Sequence, residues 1–444
     1  MTTPRQDTTQ LAEKDRAGHT KRARSRFRPT RSSTLFKLLA ILGPGLIAAN
    51  AGNDAGGVFT YSQAGASYGY NLLWVLAITA VFVCVAQEMC ARLGAVTGKG
   101  LSDLIREQFG VRWTMVAMLA FFIANAGVTI TEFLGIAASV QILANSTSTW
   151  LIYPIVPLCG LALWWLVIRG SYRRVEKIFI VISLGFLAYI PAAFAAHPNW
   201  GLVGKQTVAP MLNMDPGYWP MAVALVGTTL SPYMLFYIQS AVADKGIKAS
   251  EYVYEKVDVY SSTIFANIIS AFMIIAPAAT LFVAHRQIQN VLDAAFALQQ
   301  FAGQYSSLLF GLGLFGASLL AGAVLPLSTA YGICEAFGFE RGVSRNFKEA
   351  PVFQSIFTGL IVIGVIIALI PNLPIAQVLV ELQYLNALML PILLIFIILL
   401  VNNRRLLGKR VNGKAFNVLA WITVITITML VILLLLNSLF GVPL

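Results

Sequence analysis

Residues Asn50-Ala51-Gly52-Asn53-Asp54-Ala55-Gly56-Gly57 cut through an apolar stretch that otherwise runs from about residue 38 to 63. Small and turn-forming residues crowd there, with a carboxylate among them. A second apolar stretch, 217–243, is interrupted by Gly227-Thr228-Thr229-Leu230-Ser231-Pro232. Its proline removes a backbone donor, and the residue before a proline avoids helical geometry. Unpaired backbone is tolerated at membrane depth only where it lines a cavity. Freed carbonyls there are ready cation ligands. Paired interruptions in corresponding helices of two inverted halves are the sequence mark of a midplane substrate site.

Outward from these breaks, apolar stretches recur at lengths that cross a hydrocarbon core as helix. The reading is eleven spans, roughly at 38–63, 71–93, 113–143, 149–168, 176–196, 217–243, 257–284, 305–336, 352–370, 375–401 and 416–440. The broken stretches are spans 1 and 6, the first helices of two five-helix halves running in opposite directions. The fold expected is thus an all-α polytopic membrane protein with an inverted 5+5 repeat. Repeat one covers about 38–196, repeat two about 217–401, and an extra helix covers about 416–440. Residues 1–33 are expected to form a basic, disordered cytoplasmic tail, and 34–444 the transmembrane domain.

Composition agrees. Of the 444 residues 58% are hydrophobic and 11% charged, too few charges to dress a water-facing surface. The net charge of +12 does not signal nucleic acid, because no aromatic-interleaved basic patch or nucleic-acid motif accompanies it. With the N-terminus inside, every Lys and Arg of the 31 except Lys205 and Arg286 falls in the tail, the inner loops or adjoining span ends. One missed span would scramble that bias. Eleven spans place the C-terminus outside, and the plasma membrane is the expected location. Cys84, Cys90, Cys159 and Cys334 lack metal-like spacing and read as small core residues. No nucleophile–base pair, phosphate loop or cofactor motif points to an enzyme, and no obligatory protein partner is evident.

Asp54 is the strongest single signal. A carboxylate in mid-span costs about 2.5–3.5 kcal/mol on insertion scales and is usually functional. No Lys or Arg lies deep in any span to pair with it, so cation binding is the favoured role over a structural ion pair. Glu132, within Thr129-Ile130-Thr131-Glu132, is open to three readings: a proton relay, a second ligand, or a hydrogen-bonded structural carboxyl. Glu88 and Arg92 read most simply as an intrahelical pair. In span 10, Gln377 and Glu381 share one face, and Gln383 and Asn386 share another. One of these faces looks into the cavity, with interhelical hydrogen bonding as the alternative for each residue. Thr228 and Ser231 either contact a cation or satisfy backbone freed by Pro232. His19, His197 and His285 fall in the tail or outer loops, so no histidine serves inside the membrane. The visible ligands are hard oxygens, which suit Mg²⁺, Ca²⁺ or Mn²⁺.

The chain resembles the Nramp family of divalent metal transporters from Gly43-Pro44-Gly45 to the end of span 11. The likeness is carried by Gln63-Ala64-Gly65-Ala66, Gln87-Glu88, Ala91-Arg92-Leu93-Gly94 and Thr97-Gly98-Lys99. Glu132 with Gly135, Gln377, Leu382-Gln383, Arg405, Gly408 and Val411-Asn412 extend it. The resemblance implies a LeuT-like fold, alternating access, and a cation held between helices 1 and 6. It implies a shell made by Asp54 with Ala51, Gly57, Thr228, Ser231 and Gln377, directly or through water. Glu132 and Tyr233 would move protons or support that shell.

The departures carry as much information. The family's Asp-Pro-Gly-Asn reads here Asp54-Ala55-Gly56-Gly57, and its Met-Pro-His reads Ser231-Pro232-Tyr233. Two acidic positions upstream of Glu132 appear as Phe122 and Thr129. A thioether favours soft and borderline metals, so its loss removes a reason to prefer manganese over magnesium. The shorter Gly57 and Ser231 enlarge the site for an ion that keeps several waters, as Mg²⁺ does. These features resemble the Nramp-related magnesium transporter branch, and the missing histidine and acids argue against proton coupling. The inside-negative potential is worth about 4.6 kcal/mol for a divalent ion at ~100 mV, enough to drive uptake. The function expected is Mg²⁺ uptake, with Mn²⁺ also carried. The alternatives are a proton-coupled Mn²⁺ transporter that uses Glu132, and an amino-acid or organic-cation transporter of the same fold.

Overall fold

Helix α1, Ala55–Tyr68, starts at the first break because Asp54 caps it: its carboxylate accepts the Gly57 N–H at 2.6 Å. In a computed structural model, residues 54–168, 184–209, 215–246, 252–342, 345 and 347–440 are described, and no strand occurs among them. All of them belong to the compact unit Pro44–Leu444. The tail at 1–33, the part of span 1 before Asp54, Ala51 included, and the start of span 5 lie outside the described residues.

The next elements are α2 (Leu73–Thr97), α3 (Leu101–Leu143) and α4 (Ile152–Ile168). They are followed by α5 (Tyr189–Ala195) and α6 (Trp200–Val208). The second broken helix is α7 (Tyr218–Thr229) followed by α8 (Pro232–Asp244). Then come α9 (Tyr252–Pro277), α10 (Ser306–Phe337), α11 (Pro351–Ala368), α12 (Ile375–Val401) and α13 (Lys414–Phe440). Among the described residues eight helical runs are long and apolar enough to cross a membrane, α7–α8 counting as one. Helix α4 and the stretch Gly185–Ala195 are apolar but shorter.

One boundary differs from expectation. Span 3 was expected at 113–143, yet α3 begins at Leu101 and bends at Gly110, whose φ of 76° is open to glycine but strained for other residues. A first segment carrying Asp103, Arg106 and Glu107 is thereby set at an angle to the apolar remainder.

Helices without a hydrophobic drive between them associate by close backbone approach at small residues. Helix α10 makes its largest interface with α3 in this way. A Cβ on Gly135 would lie 2.3 Å from Ser318 Oγ and 2.4 Å from Ala55 Cβ. The α3–α10 pair is therefore the wall on which the start of α1 rests. Helix α12 crosses both breaks: Gly56 faces Gln383, and a Cβ on Gly227 would lie 2.2 Å from the Gln383 carbonyl oxygen. Helix α9 closes the other side, its Ile274 carbonyl against Gly65.

The end of α2 is fastened by a buried ion pair. Arg92 donates to Glu88 at 3.0 Å, to the Arg410 carbonyl at 3.1 Å and to Asn412, while Tyr252 donates to Glu88. The pair expected within one helix thus joins α2 to α9 and to the segment before α13. Large apolar side chains cover the outside, among them Val418, Ile425 and Met429 on α13 and Trp113 and Leu119 on α3. Such a belt is at home in lipid.

Gly135→Val is expected to lower thermal stability by about 1–3 kcal/mol through overpacking. Gly359→Ala on α11, where nothing lies within 4 Å of an added Cβ, should be neutral or stabilising by up to about 1 kcal/mol. Unfolding midpoints of the detergent-purified proteins, followed by size-exclusion chromatography after heating, separate the two cases.

Candidate cation site at the helix breaks

At the second break the α7 helix stops at Thr229, because Pro232 cannot supply the N–H that would pair with the Thr228 carbonyl. Leu230 (φ −114°, ψ 78°) and Ser231 (φ −83°, ψ 137°) leave helical geometry, and α8 begins with Pro232 in its first turn. The C-terminal carbonyls of α7 therefore face the break, and the negative end of a helix favours a cation.

Side chains take up part of what the break releases. Ser231 Oγ lies 3.3 Å from the carbonyl oxygens of both Gly227 and Thr228. Asn386 Nδ2 on α12 donates to the Gly227 carbonyl at 2.6 Å and to Ser231 Oγ at 2.9 Å. Tyr61 on α1 shares a 2.9 Å hydrogen bond with Thr229 Oγ1, which ties the two broken helices together.

Asp54 is 1% exposed and sits at the start of α1. Its Oδ1 holds the Gly57 amide, while its Oδ2 has no hydrogen-bond partner. A Cβ at Gly57 would lie 2.9 Å from Thr228 Oγ1 and 3.0 Å from Asp54 Oδ1, so the bare glycine keeps a carboxylate and a hydroxyl close together. Thr228 Oγ1, Gln383 Nε2 and Asn386 Oδ1 are also buried without partners. Buried polar atoms are normally paired, so four orphans where the start of α1, the end of α7 and α12 meet mark a place built for something polar.

Glu132 is fully buried one helix away. Its Oε2 lies 3.5 Å from the Ala55 amide and its Oε1 lies 3.4 Å from Thr131 Oγ1. None of the ion pairs among the described residues involves Asp54 or Glu132. Tyr233 is buried on the first turn of α8. Beside the break, a cavity of ≈ 30 Å³, room for about one water, is lined by Tyr61, Gln87, Thr229, Met234, Thr263 and Asn267.

Of the residues singled out from sequence, Asp54, Gly57, Thr228 and Ser231 come together, with Glu132 beside Ala55. Ala51 lies outside the described residues. Gln377 does not join them. It is exposed in the first turn of α12 and donates to Glu381 at 2.6 Å. The face of α12 at the break is instead that of Gln383 and Asn386, because six residues of helix turn Gln383 well away from Gln377. The available signal was a polar pair three apart in an apolar helix.

A family model described as Nramp, natural resistance-associated macrophage protein-like, matches residues 45–437. The chain belongs to the Nramp family. Among curated relatives, the divalent metal cation transporter MntH of Yersinia enterocolitica is 28% identical over 410 residues, 88% of this chain and 93% of that one. MntH of Deinococcus radiodurans is 27% identical, covering 87% of each chain. The crystal structure of the Eremococcus coleocola manganese transporter with an aromatic bis-isothiourea substituted compound has a TM-score of 0.72 at 21% identity. That match covers 93% of this chain and 90% of the other, so this Nramp chain shares its fold. The family consists of membrane transporters, and this chain is a transporter, not an enzyme.

In the Nramp chain, Asp54 both caps α1 and carries the charge at the break, and one substitution separates the two roles. Asparagine caps about as well as aspartate. Asp54→Asn should therefore keep thermal stability within about 0.5 kcal/mol while divalent-cation binding, measured by calorimetry on the purified protein, falls at least tenfold.

Proposed function

We propose that the chain carries divalent metal ions, Mg²⁺ first and Mn²⁺ also, into the cytoplasm by alternating access and without proton coupling. The observation that carries this reading is the donor set at the break. Asp54 Oδ2, Thr228 Oγ1, Asn386 Oδ1 and the carbonyls freed at the end of α7 are all oxygen. The position where the family resemblance places a thioether is Ser231. Hard oxygen suits a hard ion.

The carboxylate count supports magnesium further. Among the described residues no cluster of three acidic, His or Cys side chains stands ready to hold a metal. Calcium sites draw on several carboxylates, whereas Mg²⁺ is typically held by one or two and keeps much of its water. Asp54 and Glu132 are the two carboxylates here. In the same reading the architecture is eleven spans with inverted five-helix halves, N-terminus inside and C-terminus outside, in the plasma membrane. The relatives named as divalent metal cation transporters support the ion class.

One observation favours a second reading, proton-coupled Mn²⁺ transport. Glu132 Oε2 lies 3.5 Å from the amide of Ala55, the residue next to Asp54, which sets a second buried carboxyl beside the break. The two readings part in proteoliposomes with an inside-negative potential. Mg²⁺ influx without internal acidification, abolished by Asp54→Ala and changed less than about twofold by Glu132→Gln, is the expected result. Manganese influx with acidification, lost in Glu132→Gln, would establish the second reading.

A further inference from the structure

We infer that Asn386 completes the ion site from α12, positioning the broken helix with its amide nitrogen and turning its amide oxygen to the water shell of the transported ion. The inference rests on the reading of the two breaks as the ion site and adds to it a specificity-determining residue.

Asn386 is fully buried, and its two ends are in different situations. Its Nδ2 bonds the Gly227 carbonyl at 2.6 Å and Ser231 Oγ at 2.9 Å. The first is a carbonyl that the missing helical turn leaves without its backbone partner, and the second is the side chain beside it. Its Oδ1 has no partner at all. In a fully buried amide that asymmetry is costly, because the acceptor has lost its water and gained nothing, unless something arrives to satisfy it.

The same contacts change what Ser231 can do. Its Oγ accepts a hydrogen bond from Asn386 and lies within reach of two carbonyls, so most of its capacity is used inside the protein. Ser231 therefore acts chiefly as part of the frame. The oxygens without partners are those of Asp54, Thr228 and Asn386, one from each of the elements that meet at the break.

The chemistry of these oxygens selects the form of the ion. Waters bound to a divalent cation point their protons outward and need acceptors around them. A ring of carboxylate, hydroxyl and amide oxygens supplies acceptors at that outer radius. A bare ion would instead require direct ligands at about 2.0–2.1 Å in near-octahedral array. Asn386 is thus an acceptor for a hydrated ion. Gln383 Nε2, which abuts Gly56, is an amide donor without a partner and fits opposite a lone pair of Asp54 or of a bound water.

The test compares Asn386→Leu, Asn386→Asp and Asp54→Ala in the full-length purified protein, with Mg²⁺ and Mn²⁺ titrated by calorimetry and influx measured in vesicles. Size-exclusion profiles and unfolding midpoints monitor folding. Asp54→Ala is expected to abolish binding of both ions, and if it does not, the breaks are not the ion site. Asn386→Leu should weaken Mg²⁺ binding about tenfold and Mn²⁺ binding less. Asn386→Asp keeps the oxygen acceptors and loses the donors, so it should bind Mg²⁺ at least as tightly as wild type while its maximal influx falls. Unchanged Mg²⁺ affinity in Asn386→Leu overturns the inference while leaving the ion site in place. So does an equal loss of affinity in the Leu and Asp variants, which would leave Asn386 only a brace. If Asn386→Leu does not fold, tighter or equal Mg²⁺ binding by Asn386→Asp carries the inference, and weaker binding overturns it.

Discussion

Backbone inside a bilayer has no water to bond, and each unpaired N–H or C=O there costs several kilocalories per mole. Everything around the two breaks is arranged against that cost. Asp54 takes the Gly57 amide at the start of α1, and Asn386 and Ser231 take the carbonyls at the end of α7. Tyr61 then links one broken helix to the other through Thr229. What these side chains leave unpaired is the proposed site. In that reading ion binding and helix capping draw on the same few atoms.

The packing serves the same constraint. The breaks can be held only if rigid helices press on them from several sides, and rigidity in a membrane comes from close backbone approach. Gly135 lets α3 touch both Ser318 and Ala55, Gly227 lets α12 lie against the end of α7, and Gly65 lets the α9 backbone touch α1. Each is a place where a methyl group would push a wall of the site outward. The buried Arg92–Glu88 pair does a comparable task at the end of α2, its guanidinium reaching the segment before α13 and its carboxylate reaching Tyr252 on α9.

Much of this is legible in residue order. The second break is written locally, by Pro232, so its position follows from backbone chemistry alone, whereas Gly56 and Gly57, expected within the first interruption, lie inside α1. Asp54 stands out because a mid-span carboxylate without a basic neighbour has no bland explanation. Span 10 was less readable. Its polar residues occupy two helical faces, and spacing shows that Gln377 and Glu381 belong together and Gln383 with Asn386, but not which pair turns inward. That rotation is set by α12 seating its backbone against Gly227, a contact between residues far apart in the chain. The bend at Gly110 was hidden for a different reason, since a glycine within a polar-to-apolar transition does not declare its φ.

The sequence by itself determined the class of molecule, the run of apolar helices, the interruption at Pro232 and the buried carboxylate Asp54. It could do so because those features arise from lipid solvation and local backbone geometry, which act on neighbouring residues. Only the tertiary structure decided which oxygens stay unpaired, that Ser231 is largely committed within the protein, and that Asn386 and not Gln377 stands at the break. Those outcomes depend on the rotation and approach of whole helices, and the energies that set them are summed over contacts that no stretch of sequence contains.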